Sequence, residues 1–124
     1  MAAYEAYEVV VVPFPFTDRG TSKRRPALVL SDGEVFDREV GHSVLAMITS
    51  QRTAPWPLDV PIADLRSAGM PAPSKVRMKL FTLDHELILR KAGRLGSEDE
   101  REVRAALVRL LRFATSIGTS TSVD

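Results

Sequence analysis

The sequence predicts a mainly β domain: a small antiparallel, barrel-like sheet followed by one C-terminal α-helix. Three observations carry this prediction. Short β-branched or alternating apolar runs recur through the first two thirds, each bounded by turn-forming residues. The apolar spacing becomes helical only after Ser97. The chain has 124 residues, the length of one domain with one core. The expected domain spans residues 1–114, and the small polar residues 115–124 read as a frayed tail.

The strands follow in order. Glu8–Val12 is unbroken and β-branched, as in a strand buried on both faces. Pro13 and Pro15 are expected to end its ladder, because proline has no N–H to donate. Thr17–Arg24 collects turn formers and cations and reads as a loop. Pro26–Ser31 and Ser43–Gln51 are the second and third strands. The third runs from Val44-Leu45-Ala46-Met47-Ile48 into the polar Thr49-Ser50-Gln51. Leu58–Ile62 is a fourth. Ser74–Leu80 alternates strictly, so Lys75, Arg77 and Lys79 share one face and Val76, Met78 and Leu80 the other. Asp84-His85-Glu86 reads as a polar turn, and Gly69, Gly93 and Gly96 as turn or cap glycines. Ser97 with Glu100 three residues on forms a capping-box pattern. Val103, Leu107, Leu110, Leu111 and Ala114 then make one apolar stripe, giving a helix over Glu98–Ala114.

Composition excludes several chemistries. No cysteine is present, so disulfides, thiolate-bound zinc and thiol nucleophiles are ruled out. His42 and His85 have no partner at metal-ligand spacing, no serine can be matched to a base, and no metal or cofactor is expected. The longest aliphatic run, Val9–Val12, is far short of the ~20 residues of a membrane helix. Met1–Glu8 lacks the basic start of a secretory signal, so a cytoplasmic protein with no membrane partner is expected.

Seventeen Lys and Arg stand against sixteen Asp and Glu, yet these charges are sorted. The helix mixes both signs. Arg19, Lys23, Arg24 and Arg25 cluster around the first loop, and Lys75–Lys79 contains no acid. Local fields of this kind can hold a nucleic-acid backbone whatever the net charge.

Val9–Asp18, with its Val-Pro-Phe-Pro-Phe-Thr-Asp end, precedes Lys23-Arg24-Arg25-Pro26-Ala27-Leu28-Val29-Leu30-Ser31. Then come Ala46-Met47-Ile48-Thr49-Ser50-Gln51, Ser74–Asp84 and Gly93-Arg94-Leu95. In this order the motifs resemble the MazF/PemK family of toxin endoribonucleases, across nearly the whole domain. The resemblance implies an SH3-like β-barrel with a C-terminal helix, forming a homodimer. It implies metal-independent cleavage of single-stranded RNA, held in check by a cognate antitoxin protein. The family's catalytic arginine maps onto Arg25 and its catalytic threonine onto Thr49, while a third family arginine maps onto Arg77. Arg19, Lys23, Arg24, Ser50, Gln51, Lys75 and Lys79 complete the implied RNA-binding set with Arg77. Two departures stand out. The family opens its first strand with Gly-Asp or Gly-Glu, where this chain has Tyr7-Glu8. Some members carry an acid soon after the third arginine, where this chain has Met78-Lys79. A non-catalytic barrel, of the gyrase-poison type or a decayed member, is the alternative on the same fold.

Overall fold

The structure, a computed structural model, describes residues 4–14 and 23–113. The loop cation Arg19 and the polar tail 115–124 lie outside the described residues. Six strands form one antiparallel sheet: β1 (Glu8–Phe14), β2 (Lys23–Val29), β3 (His42–Ser50), β4 (Val60–Pro61), β5 (Ser74–Asp84) and β6 (Arg90–Arg94). Their order is β4-β5-β3-β2-β1-β6. The sheet curls into a half-barrel that stays open between β4 and β6.

The apolar runs explain the curl. Val9, Val10 and Val12 are fully buried, because β1 is covered on both faces. Val9, Leu28, Ala46, Ile48 and Val76 pack with Val103 and Ala106 of the last helix. Val10, Val12, Ala27, Val29 and Leu45 pack on the other side with Leu83 and Ile88. A β-branched run suits this double burial, because no position of it faces water.

Short helical pieces fill the connections. A π-helical turn over Gly33–Asp37 leads into α1 (Arg38–Val40), with Asp32 accepting from the backbone N–H groups of Glu34 and Val35. The turn α2 (Leu65–Ala68) ends at Gly69, whose φ of 74° is left-handed. There a Cβ would come 2.2 Å from the Ala92 carbonyl oxygen, and one on Gly93 would come 2.4 Å from that of Ser67. These two glycines let α2 lie directly on β6 and bridge the open side of the half-barrel. The helix α3 (Ser97–Leu111) completes the fold.

Several boundaries differ from the sequence reading, each for a physical reason. β1 runs through Pro13, which pairs with Arg24. β6 pairs with β1 only as far as Val11, so Pro13 lies where β1 has a single neighbour and can spare a donor. β2 accordingly begins at Lys23. The fourth strand shrinks to Val60–Pro61. Arg90–Arg94 is a strand that its charged sequence conceals, and Gly93 lies inside it instead of in a turn. The capping box does not form: Gly96 is the N-cap, and Glu100 N–H donates to the Gly96 carbonyl. His85–Leu87 is a 3-10 turn capped by Asp84. In α3, Leu110 and Leu111 are exposed, so the apolar stripe is covered only over its first three turns.

Candidate functional site

Strand alternation decides which candidate residues meet. Val12 pairs with Arg25, Ala27 with Met47, Met47 with Arg77, and Thr49 with Lys75. Paired residues share a face, and every second residue repeats it. Arg25 on β2, Thr49 on β3 and Lys75 and Arg77 on β5 therefore project from one face. The ladder between β2 and β3 ends at Ala27 and Met47. Carried two residues further, that register sets Arg25 against Thr49. Lys79 belongs to the same face, because the irregularity opposite Ala46 and Met47 inserts two residues and keeps the alternation.

Arg25 is half-buried, with its guanidinium 5.6 Å from the centre of the Phe14 ring. Among the described residues it has no carboxylate partner. Thr49 is half-buried too, and its Oγ1 lies 3.0 Å from Thr53 Oγ1. Lys23 and Arg24, at the start of β2, and Ser50 and Gln51, at the end of β3, are exposed. Lys23 shares the Arg25 face by pairing with Phe14, whereas Arg24 and Ser50 alternate to the opposite face.

The stripe on β5 is held in a way its sequence does not show. The connection from β3 to β4 folds over it. Asp59, in that connection, sits 3.1 Å from Lys75 Nζ and 3.0 Å from Arg77 Nη2. Lys75 is only 6% exposed, and its ammonium also donates to the Thr53 carbonyl at 2.7 Å. Arg77 donates from Nη2 to the Ala54 carbonyl at 2.6 Å. Burial pushes the Asp59 pKa up, but hydrogen bonds from Arg77 and Lys75 outweigh it and hold the carboxyl below its ordinary value. Arg77 and Lys79 also lie over the Trp56 ring, at 5.1 and 5.8 Å from its centre. The acid that Lys75–Lys79 lacks thus arrives from 18 residues away. A sequence pattern cannot reveal it, because the contact depends on how the loop folds back.

Between strand segments 23–26 and 48–50 a cleft of about 470 Å³ opens toward the Met70–Ser74 loop and Arg90. Arg25 and Thr49 line it too, and Pro26, Ile48 and Ser50 reach it from the alternate face of the same strands. Arg90 was not among the residues expected from the sequence. Its only signal there is a cation at the start of a strand that the apolar pattern does not show.

A serine, a histidine and a carboxylate do meet, contrary to the sequence reading. Ser43 Oγ lies 2.9 Å from Asp37 Oδ2 and 2.7 Å from His85 Nε2. Ser31 Oγ also donates to Asp37. The single Ser43 hydroxyl proton is committed to Asp37, so His85 donates to Ser43 and cannot act as its base. Ser43 is fully buried, and this network ties β3 to its flanking turns. Among the described residues, no group of three His, Asp or Glu side chains is placed to hold a metal ion.

Comparison with known proteins bears on this arrangement. A family model described as PemK-like, MazF-like toxin of type II toxin-antitoxin system matches residues 5–111. No match to a curated protein sequence was found. Among solved structures, a Deinococcus radiodurans MazE-MazF complex superimposes with a TM-score of 0.72 at 23% identity, covering 91% of this chain and 100% of the other. A mycobacterial endoribonuclease in complex with its cognate antitoxin gives 0.71 at 18% identity, covering 93% and 99%. The Mycobacterium tuberculosis toxin MazF-mt6 gives 0.69 at 20% identity, covering 87% and 99%. These similarities establish a shared fold.

Proposed function

The chain belongs to the family of PemK-like, MazF-like toxins of type II toxin–antitoxin systems, and from that premise we propose that it cleaves single-stranded RNA at the face carrying Arg25 and Thr49. The observation that carries this reading is their register. A guanidinium with no carboxylate partner among the described residues and a threonine hydroxyl stand on neighbouring strands of one face.

The chemistry suits those groups. The RNA 2′-oxygen attacks the adjacent phosphorus, and the bond from phosphorus to the 5′-oxygen breaks. The products are a 2′,3′-cyclic phosphate and a 5′-hydroxyl. The nucleophile is internal, so the protein has to supply in-line geometry and stabilise charge on the phosphorane oxygens. Arg25 is placed to donate to those oxygens and to the departing 5′-oxygen. A guanidinium has donors only and no acceptor, so Arg25 does not take the 2′-OH proton. Thr49, oriented by Thr53, would hydrogen-bond the scissile phosphate. The exposed Lys23, Lys79 and Gln51 flank it. Arg77 and Lys75 enter this account as the anchors of the β3–β4 connection. They become phosphate ligands only when Asp59 releases them.

A cognate antitoxin and a second copy of the chain are the proposed partners, in line with the antitoxin complexes solved for proteins of the same fold. Among the described residues no helix is long and apolar enough to cross a membrane. Action on RNA would place the protein in the cytoplasm.

The test uses purified protein, a long mixed-sequence RNA and EDTA. Discrete cuts are expected with EDTA present. Arg25→Ala should cut roughly 100- to 1,000-fold more slowly with an unchanged circular dichroism spectrum. A strict divalent-metal requirement, or full activity in Arg25→Ala, would overturn the reading.

A further inference from the structure

The cleft is a concentration of positive charge that continues from Arg25 and Thr49 round the ends of β2 and β3. Lys23, Arg24, Arg25 and Arg90 contribute to its lining, and no aspartate or glutamate does. Arg90 reaches it from β6 by pairing with Val11, and Arg24 by pairing with Pro13. Both arginines are exposed, and neither has a carboxylate partner among the described residues. That contrasts with Lys75 and Arg77, which share the Asp59 carboxylate. The floor is apolar, formed by Val11, Pro26, Ile48 and Met70, and the Ser50 and Ser74 positions edge it. At about 470 Å³ the cleft lies within the range of roughly 300–1,000 Å³ typical of small-ligand sites. An apolar floor beneath arginines that have no carboxylate partner among the described residues fits a flat base joined to a phosphate.

Its position says which nucleotide. Arg24 and Arg25 are sequence neighbours, with Cα atoms ~3.8 Å apart and side chains on opposite faces. The same holds for Thr49 and Ser50. The cleft therefore runs from Arg25 and Thr49, which line it, to the other side of the same two strand segments. A single strand held at Arg25 and Thr49 needs only its next nucleotide to round these strand ends.

We propose that this cleft binds the nucleotide next to the scissile phosphate, with Arg90 and Arg24 holding its phosphate and the floor taking its base. The inference rests on the RNA-cleavage reading and adds a subsite to it. Arg90 is then a positioning residue, and the cleft contributes to the choice of sequence cut. An acidic peptide segment is the competing occupant. RNA is favoured because the cleft borders Arg25 and Thr49.

The experiment measures binding of an uncleaved oligoribonucleotide, spanning a mapped cut site, to full-length Arg25→Ala protein by fluorescence anisotropy across a salt series. Adding Arg90→Ala should weaken binding about tenfold and reduce the salt slope by about one. Arg90→Lys should restore the slope. Oligonucleotides shortened by one nucleotide from one end should bind equally well with or without the Arg90→Ala substitution. In the active protein, Arg90→Ala should raise KM with kcat nearly unchanged. Arg66→Ala, an exposed cation outside the cleft, serves as the control. Affinity and slope unchanged by Arg90→Ala would overturn the proposal. So would loss of binding to an acidic antitoxin-tail peptide with RNA binding intact, which would assign the cleft to a protein partner. If the wild-type protein makes no cuts at all, the cleavage reading fails first. If it cuts and Arg90 proves silent, only the subsite fails.

Discussion

Tyr7 adopts φ 73°, a left-handed conformation that costs a side-chain-bearing residue about 1–2 kcal/mol. The position is fixed from both sides: Tyr7 N–H donates to the Val29 carbonyl at 2.6 Å, and Leu95 N–H donates to the Tyr7 carbonyl at 3.0 Å. The glycine that the family places before its first strand therefore answers a backbone demand. This chain meets the same demand with a tyrosine, whose ring lies 5.6 Å from the Arg104 guanidinium. Removing the ring separates the two effects. Tyr7→Gly should be more stable than Tyr7→Ala by about 1 kcal/mol in urea unfolding, the reverse of their usual order within a strand. Equal stabilities would contradict the strain argument. Arg25 and Thr49 could be singled out as candidates in the sequence because one lies in an Arg-Pro motif and the other ends the third-strand motif. Asp59 was not, because nothing at Asp59 itself marks it as the partner of Lys75 and Arg77.

At the scale of elements, two carboxylates hold loops in place. Asp99, in the first turn of α3, is 2% exposed and accepts from the backbone N–H groups of Ala63 and Asp64, each at 2.9 Å. In the sequence it reads as one of several early helix acids suited to the dipole. Its larger role is to satisfy two donors of the segment that leads into α2. Asp99→Ala should lower unfolding free energy by about 2–3 kcal/mol, and Asp99→Asn by less, because an amide oxygen still accepts. Asp59 does the equivalent for the β3–β4 connection. With its pKa held below the ordinary value, the clasp is complete at neutral pH and persists through the usual carboxylate range. It is lost only as pH falls through the depressed Asp59 pKa. Trp56 is the single tryptophan, so its fluorescence should report the release as a transition below the ordinary carboxylate range. Asp59→Asn should show that loosened emission already at pH 7 and cost about 3 kcal/mol, because Lys75 is left buried without its counter-charge. The strands with alternating or β-branched sequence were readable in advance. β6 was not, since Arg90–Arg94 carries three cations and a glycine and is a strand only because β1 and α2 cover it.

For the whole molecule, the half-barrel joins two cationic faces at a cleft across the ends of β2 and β3. Alternation alone assigns Arg25, Thr49, Lys75, Arg77 and Lys79 to one side and Arg24, Ser50 and Arg90 to the other. The fold class, the C-terminal helix and the shared face of the β5 cations were all visible as periodicities. The juxtaposition of Arg25 and Thr49, by extension of the β2–β3 register, was not, because the register between these two strands depends on tertiary packing. The central claim is that this juxtaposition positions the RNA 2′-hydroxyl for attack on its own phosphate. Replacing the single ribonucleotide 5′ of a mapped cut site with its 2′-deoxy form tests that claim most directly. Cleavage at that site should disappear while binding to Arg25→Ala protein stays within a few fold, and the unmodified RNA should yield a 2′,3′-cyclic phosphate end. Cleavage of the 2′-deoxy substrate at the same bond would contradict the account.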